Sequence, residues 1–244
     1  MATSKKSRII DARAGESAAT GKGVVVAVID SGRDETTTDS RILKGASFID
    51  RVCEPDYHRH DDDVDRIGHG TICTNVLLDI AQDARVLPLK VFGSRLETGV
   101  GPLIDALDYA VSSGIRVINM SLGTEAEHHI PHLYAACERA RRAGAIVVAP
   151  IGKRPSYPAV FEPVISVGPA YLASLTEVFY SPDSMGECNV RVHRRPVVGL
   201  RGARPFSGAI SYGVPVVTSL IARWIEDDAT LDVDRLRQRL GGWQ

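Results

Sequence analysis

The chain has 244 residues, 44% of them hydrophobic, with 29 Lys and Arg against 30 Asp and Glu for a formal net charge of −1. That is enough apolar material for a sizeable core, and one α/β domain over residues 1–244 is expected. The balanced charge excludes a globally basic nucleic-acid binder, and no apolar run approaches the length of a membrane span, so neither nucleic acid nor membrane is expected as a partner.

In chain order, the N-terminus reads Met1-Ala-Thr-Ser-Lys-Lys-Ser-Arg8 without the long apolar stretch of a secretory signal. Val24–Ile29 is a short Val-rich run that predicts a buried strand, ending in Asp30-Ser31-Gly32. The turn after it lacks the Gly-x-Gly-x-x-Gly needed for close approach to a pyrophosphate, which argues against a dinucleotide site. Asp61-Asp-Asp-Val-Asp65 reads as a solvated loop, or as an acidic rim should it border a cleft. Gly68-His69-Gly70-Thr71 then leads into a helix over 71–78. Asn75 to Asp83 carries no cluster of oxygen ligands, so no calcium site is expected there.

Further buried strands are predicted over 85–91, 116–120, 145–149 and 164–167. Between them, Leu103, Ile104, Leu107, Ala110 and Val111 share one helical face, and 131–143 repeats the pattern. Arg191, Arg194, Arg195, Arg201 and Arg204 form a basic run that reads as loop, before a last apolar helix predicted over Ser211–Trp224. Alternating strands and helices predict a three-layer α/β fold, a mostly parallel central sheet covered by helices on both faces. Cys53, Cys73, Cys137 and Cys188 show no C-x-x-C spacing, which suits free thiols in a reducing cytoplasm better than a metal site.

Asp30, His69 and Ser211 each have an ordinary structural explanation: a turn former, a loop residue and a helix cap. Taken together, in the order Asp, His, Ser, they also match a nucleophilic triad. The stretches Thr20–Gly32, Gly68–Thr71 and Val117–Gly123, with Ser211, resemble the subtilisin-like serine proteases, and the resemblance runs from about Ile9 to the closing helix. Cys73 is similar to the free cysteine of the proteinase K branch.

The resemblance implies a subtilisin-like fold and an endopeptidase that needs no cofactor and no metal. Asp30, His69 and Ser211 would be catalytic, and Ser121, Leu122, Gly123 and Gly152 would bind substrate. The partner is then a peptide or protein substrate, in keeping with an intracellular enzyme that processes one precursor, such as a ribosomally made peptide losing its leader. No pro-region is expected ahead of the domain, and the oligomeric state is not readable.

Departures from the family pattern are informative. Ala209-Ile210 replaces Gly-Thr ahead of the serine, and Tyr212-Gly-Val-Pro215 follows it in place of Met-Ala-Ser-Pro. Lys153 stands where the family carries the asparagine of the oxyanion hole, leaving the Ser211 backbone N–H and the Lys153 ammonium as the two donors. The competing reading from that substitution is an impaired protease that survives as a peptide-binding or scaffold module.

Overall fold

The computed structural model describes residues 7–14, 17–49, 62–152, 154–181, 188, 190–193 and 210–241. Its strands are β1 (Arg8–Asp11), β2 (Val25–Asp30), β3 (Ala46–Ser47), β4 (Arg85–Lys90), β5 (Val117–Met120), β6 (Ile146–Pro150), β7 (Val164–Ala170), β8 (Glu177–Tyr180) and β9 (Val190–His193). The α-helices among the described residues are α1 (His69–Ile80), α2 (Val100–Ser112), α3 (Ile130–Arg142), α4 (Val214–Asp227) and α5 (Val233–Leu240).

The strands form one sheet in the order β1-β8-β9-β7-β6-β5-β2-β4-β3. Its centre is parallel, with Val26 opposite Val117 and Asp30 opposite Lys90, while β8 pairs antiparallel with both β1 and β9. β2, β5 and β6 are apolar at nearly every position because both faces are covered, so the two-residue period separates two cores rather than core from solvent. Val26 and Val28 join Val76 and Leu77 of α1 and Val217, Leu220 and Trp224 of α4. Ala27 and Ile29 join Leu103 and Leu107 of α2 and Leu133 and Ala140 of α3. The fold is therefore the three-layer α/β arrangement, and α4 is buried along almost all its length.

Two expectations are corrected. The helix predicted over Ser211–Trp224 is a 3₁₀ turn over Ile210–Tyr212, then Gly213, then α4. Pro215 lies in the first turn of α4, has no N–H to give to the Ser211 carbonyl, and its ring would crowd that carbonyl. An α-helix cannot continue back through Ser211. The acidic run, of which Asp61 lies outside the described residues, is not simply a solvated loop. Asp63 is buried, accepting from Arg33 Nε at 2.8 Å and the Gly45 N–H at 2.6 Å. Lys90, fully buried at the end of β4, donates to the Val64 carbonyl at 2.7 Å and lies 3.4 Å from Asp62. Of the basic run, Arg191 sits on β9, and Arg194, Arg195, Arg201 and Arg204 fall outside the described residues.

Candidate active site

Parallel strands present their carboxyl ends along one rim, which is where α/β proteins place ligand sites. Asp30 is the last residue of β2, Ser121 follows β5 directly, and Gly152 stands two residues beyond β6. Along β2 the side chains alternate, so Asp30 shares the face of Val26 and Val28, toward α1 and α4.

α1 delivers His69 to that spot. Its N-cap is Gly68, which has no side chain to satisfy the first N–H groups. Asp65 supplies the missing acceptor: one oxygen takes the Ile67 and Gly68 N–H groups at 2.9 and 2.7 Å, the other the Thr71 N–H and hydroxyl at 2.8 and 2.7 Å. Burial would raise the Asp65 carboxyl, but the Thr71 hydroxyl and these N–H groups outweigh it and hold the pKa below the ordinary value. The helix start then docks on the turn after β2, where the Gly70 N–H donates to Ser31 Oγ at 2.8 Å. A Cβ on Gly70 would lie 2.6 Å from the Gly32 carbonyl oxygen, so this approach needs glycine.

The three residues singled out by sequence meet here. His69 Nδ1 is 2.8 and 2.9 Å from the two Asp30 carboxylate oxygens, and His69 Nε2 is 3.1 Å from Ser211 Oγ. All three are buried, Asp30 completely. The Ser31 N–H donates to Asp30 Oδ1 at 2.8 Å, fixing the carboxylate. Burial opposes charge on the imidazole, yet the Asp30 carboxylate prevails and the His69 pKa is raised. Asp30 thus stabilises the protonated form of the imidazole.

Asp30, His69 and Cys73 also bring three metal-ligand types within 4.8 Å of one another. Their chemistry argues against a metal centre. Nδ1 is occupied by Asp30, and burial raises the Cys73 thiol, which keeps it protonated and a poor ligand.

Ser121, Leu122 and Gly123 line a cavity of about 440 Å³ beside His69 and Ser211, together with Phe92, Leu96, Leu103 and Tyr212. Ser121 is held from below, because Asn119 Nδ2 donates to its Oγ at 2.8 Å and the Thr218 hydroxyl of α4 donates to Asn119 Oδ1 at 3.0 Å. Gly152 lies apart from that cavity; its N–H is 3.4 Å from Ser156 Oγ. Lys153 lies outside the described residues.

Sequence reasoning missed the residues that place the triad. In the sequence Asp65 stands out only as part of a charge run, although an Asp three residues before Gly68-His69 is a recognisable capping signal. Tyr212 was visible as a departure after Ser211, but not the stacking of its ring on His69, with centroids 4.9 Å apart and planes at 36°.

Residues 21–184 match the model of the Subtilase family, a span that contains Asp30 and His69 and ends before Ser211. Among curated proteins, the chain is 33% identical over 154 residues to the thermophilic serine proteinase of Bacillus sp. (strain AK1), covering 60% of this chain and 38% of that protein. It is 31% identical over 176 residues to the major intracellular serine protease of Bacillus subtilis (strain 168), covering 63% of this chain and 53% of that one. The chain thus spans about half the length of these relatives, or less. Among solved structures, the epidermin leader peptide processing serine protease of Staphylococcus aureus superposes with a TM-score of 0.66 over 90% of this chain and 68% of that one, at 17% identity, a likeness of fold. No helix among the described residues is long and apolar enough to cross a membrane.

Proposed function

This chain belongs to the subtilase family, and from that premise we propose that it is a serine endopeptidase using Asp30, His69 and Ser211. The observation that carries the reading is the position of His69, bonded through Nδ1 to Asp30 and within 3.1 Å of Ser211 through Nε2. Ser211 Oγ bonds to the scissile carbonyl carbon while its proton passes to His69 Nε2. His69 returns that proton to the amine as the C–N bond breaks, and water then hydrolyses the acyl-enzyme by the same route. Asp30 keeps the imidazole in the tautomer that presents a free Nε2 lone pair and offsets its charge. The developing oxyanion takes the Ser211 N–H and, in this reading, the Lys153 ammonium, a strong donor when its stem lets it reach.

Ser121 to Gly123 would receive the substrate as an added strand, and Gly152 would contact the same substrate. Removal of a leader from a ribosomally made peptide, in the cytoplasm, is the substrate reading we favour. Its support is the fold shared with the epidermin leader peptide processing protease and the kinship with an intracellular bacterial protease.

One experiment tests the assignment: turnover of varied peptides by the wild type, Ser211→Ala and Lys153→Ala, with fluorophosphonate labelling alongside. The expected result is labelling and cleavage lost in Ser211→Ala, and a kcat lowered more than KM is changed in Lys153→Ala. Wild-type turnover no higher than that of Ser211→Ala, with no labelling, would overturn the protease reading in favour of a peptide-binding module.

A further inference from the structure

Ser211 is followed by a residue whose side chain turns back over the catalytic histidine. Tyr212 is 3% exposed, and its ring lies 4.9 Å from that of His69, tilted by 36°. The imidazole is thus bounded by Asp30 at Nδ1, by Cys73 at 4.0 Å from the same nitrogen, by Ser211 at Nε2 and by the Tyr212 ring on its face. The Tyr212 hydroxyl is buried and has no hydrogen-bond partner among the described residues. Packing of the ring, not a bond from the oxygen, therefore fixes where Tyr212 sits.

The backbone is arranged to permit this. Gly213 follows Tyr212, and a Cβ there would lie 2.2 Å from Val192 Cγ2 of β9. The Gly213 N–H closes the turn on the Ile210 carbonyl at 2.8 Å. The turn that presents Ser211 is thereby pressed against the sheet, and the same turn lays Tyr212 on the imidazole.

We propose that Tyr212 is a positioning residue whose ring holds the His69 imidazole between Asp30 and Ser211 and keeps water from the Asp30–His69 bond. This rests on the triad reading above. A histidine side chain swings its imidazole about two soft torsions, and a base displaced by about 1 Å from its nucleophile can lose on the order of 10²-fold in rate. Asp30 fixes one end of the ring but allows rotation about the Nδ1 contact. A flat, well-packed neighbour on the ring face removes that freedom. The ring also lines the cavity beside Ser211, so a rival role as a wall for substrate is open to the same test.

The test compares the wild type with Tyr212→Phe, Tyr212→Leu and Tyr212→Ala in the full chain. One readout needs no turnover: the solvent exchange of the His69 Nδ1–H proton, followed by NMR. Tyr212→Phe keeps the ring and should match the wild type in both exchange and kcat. Tyr212→Leu fills much of the space without an aromatic face and carries the test if Tyr212→Ala fails to fold. It should speed Nδ1–H exchange by about tenfold or more through local opening. It should also lower kcat on the order of 10–100-fold with KM little changed.

Exchange and kcat within about twofold of wild type in Tyr212→Leu would overturn the proposal, as would a rise in KM with kcat and exchange unchanged, which assigns Tyr212 to substrate binding. Loss of function in Tyr212→Phe equal to that in Tyr212→Leu would move the role to the hydroxyl and overturn it too. If the wild type cleaves nothing, the protease reading fails, while the exchange measurement still decides whether Tyr212 holds His69.

Discussion

At the scale of the residue, the site depends on one buried charge. Asp30 is wholly inaccessible, fixed by the Ser31 N–H and bonded to His69 through both oxygens. Replacing it by Asn preserves size but removes the charge, and the amide can turn its NH₂ toward His69 and favour the wrong tautomer. Asp30→Asn should therefore lower kcat by about 10⁴. The pH profile gives a second check with a definite sign. Proton acceptance needs neutral His69, and the Asp30 carboxylate raises the pKa of that imidazole against the opposing effect of burial. Without the carboxylate, His69 should lose its proton at lower pH, so the acid limb of kcat/KM moves down. An acid limb that stays in place would show that Asp30 is not what holds the charge on His69.

At the scale of the element, α1 matters because its first residue is His69 and its cap lies outside the helix. Asp65 receives three backbone N–H groups and one hydroxyl around that end. Asp65→Ala should cost about 1–2 kcal/mol, the range for a helix cap with charge-assisted bonds. The folded pKa of Asp65 is depressed below the unfolded value, so its contribution is complete above about pH 4 and fades as pH falls through the folded value. Denaturation of wild type and Asp65→Ala at neutral pH and near pH 3 checks this: the gap should shrink in acid. A gap that is the same at both values would mean that the ionised carboxylate is not the cap.

The same scale shows what could be read from the residues alone. β2, β5 and β6 were legible because burial on both faces writes an unbroken apolar run into the sequence. β3 has two residues, and β1, β8 and β9 form a short antiparallel group toward one edge whose polar members, such as Glu177 and Arg191, break the run. Asp30 and His69 were legible from the motifs around them, and Ser211 from the Asp, His, Ser order and the apolar run it opens, since its flanking residues depart from the family pattern. The start of α4 was misplaced because apolar character continues through Ser211, while the stop is imposed by the ring of Pro215. Asp63, Lys90 and Tyr212 owe their roles to partners from other segments, which no local pattern records.

At the scale of the whole molecule, α4 ties the two ends of the described chain together. It begins just after the Ser211 turn, runs through the core, and in its last turns captures the segment that leads into β2. Arg223, 5% exposed, donates to the carbonyls of Ala19 at 2.5 Å, Arg13 at 2.7 Å and Ser17 at 2.9 Å, and also to that of Ala12. One turn on, Glu226 Oε2 accepts the N–H groups of Thr20, Gly21 and Lys22 at 2.8, 2.7 and 2.8 Å. The planar guanidinium suits this task because its fixed fork satisfies several carbonyls at once, which a lysine point charge would not. Arg223→Ala leaves buried carbonyls without donors, and a loss of about 3 kcal/mol is expected. Arg223→Lys should recover only part of it. Chemical denaturation gives the size of the loss, and limited proteolysis gives its location, with new cleavage expected between Ala12 and Lys22. Because Ser211 lies in the turn ahead of the opposite end of α4, folded Arg223→Ala should keep the Ser211–His69 contact. Fluorophosphonate labelling lost in a variant that remains folded would instead mean that the two ends of α4 are mechanically coupled.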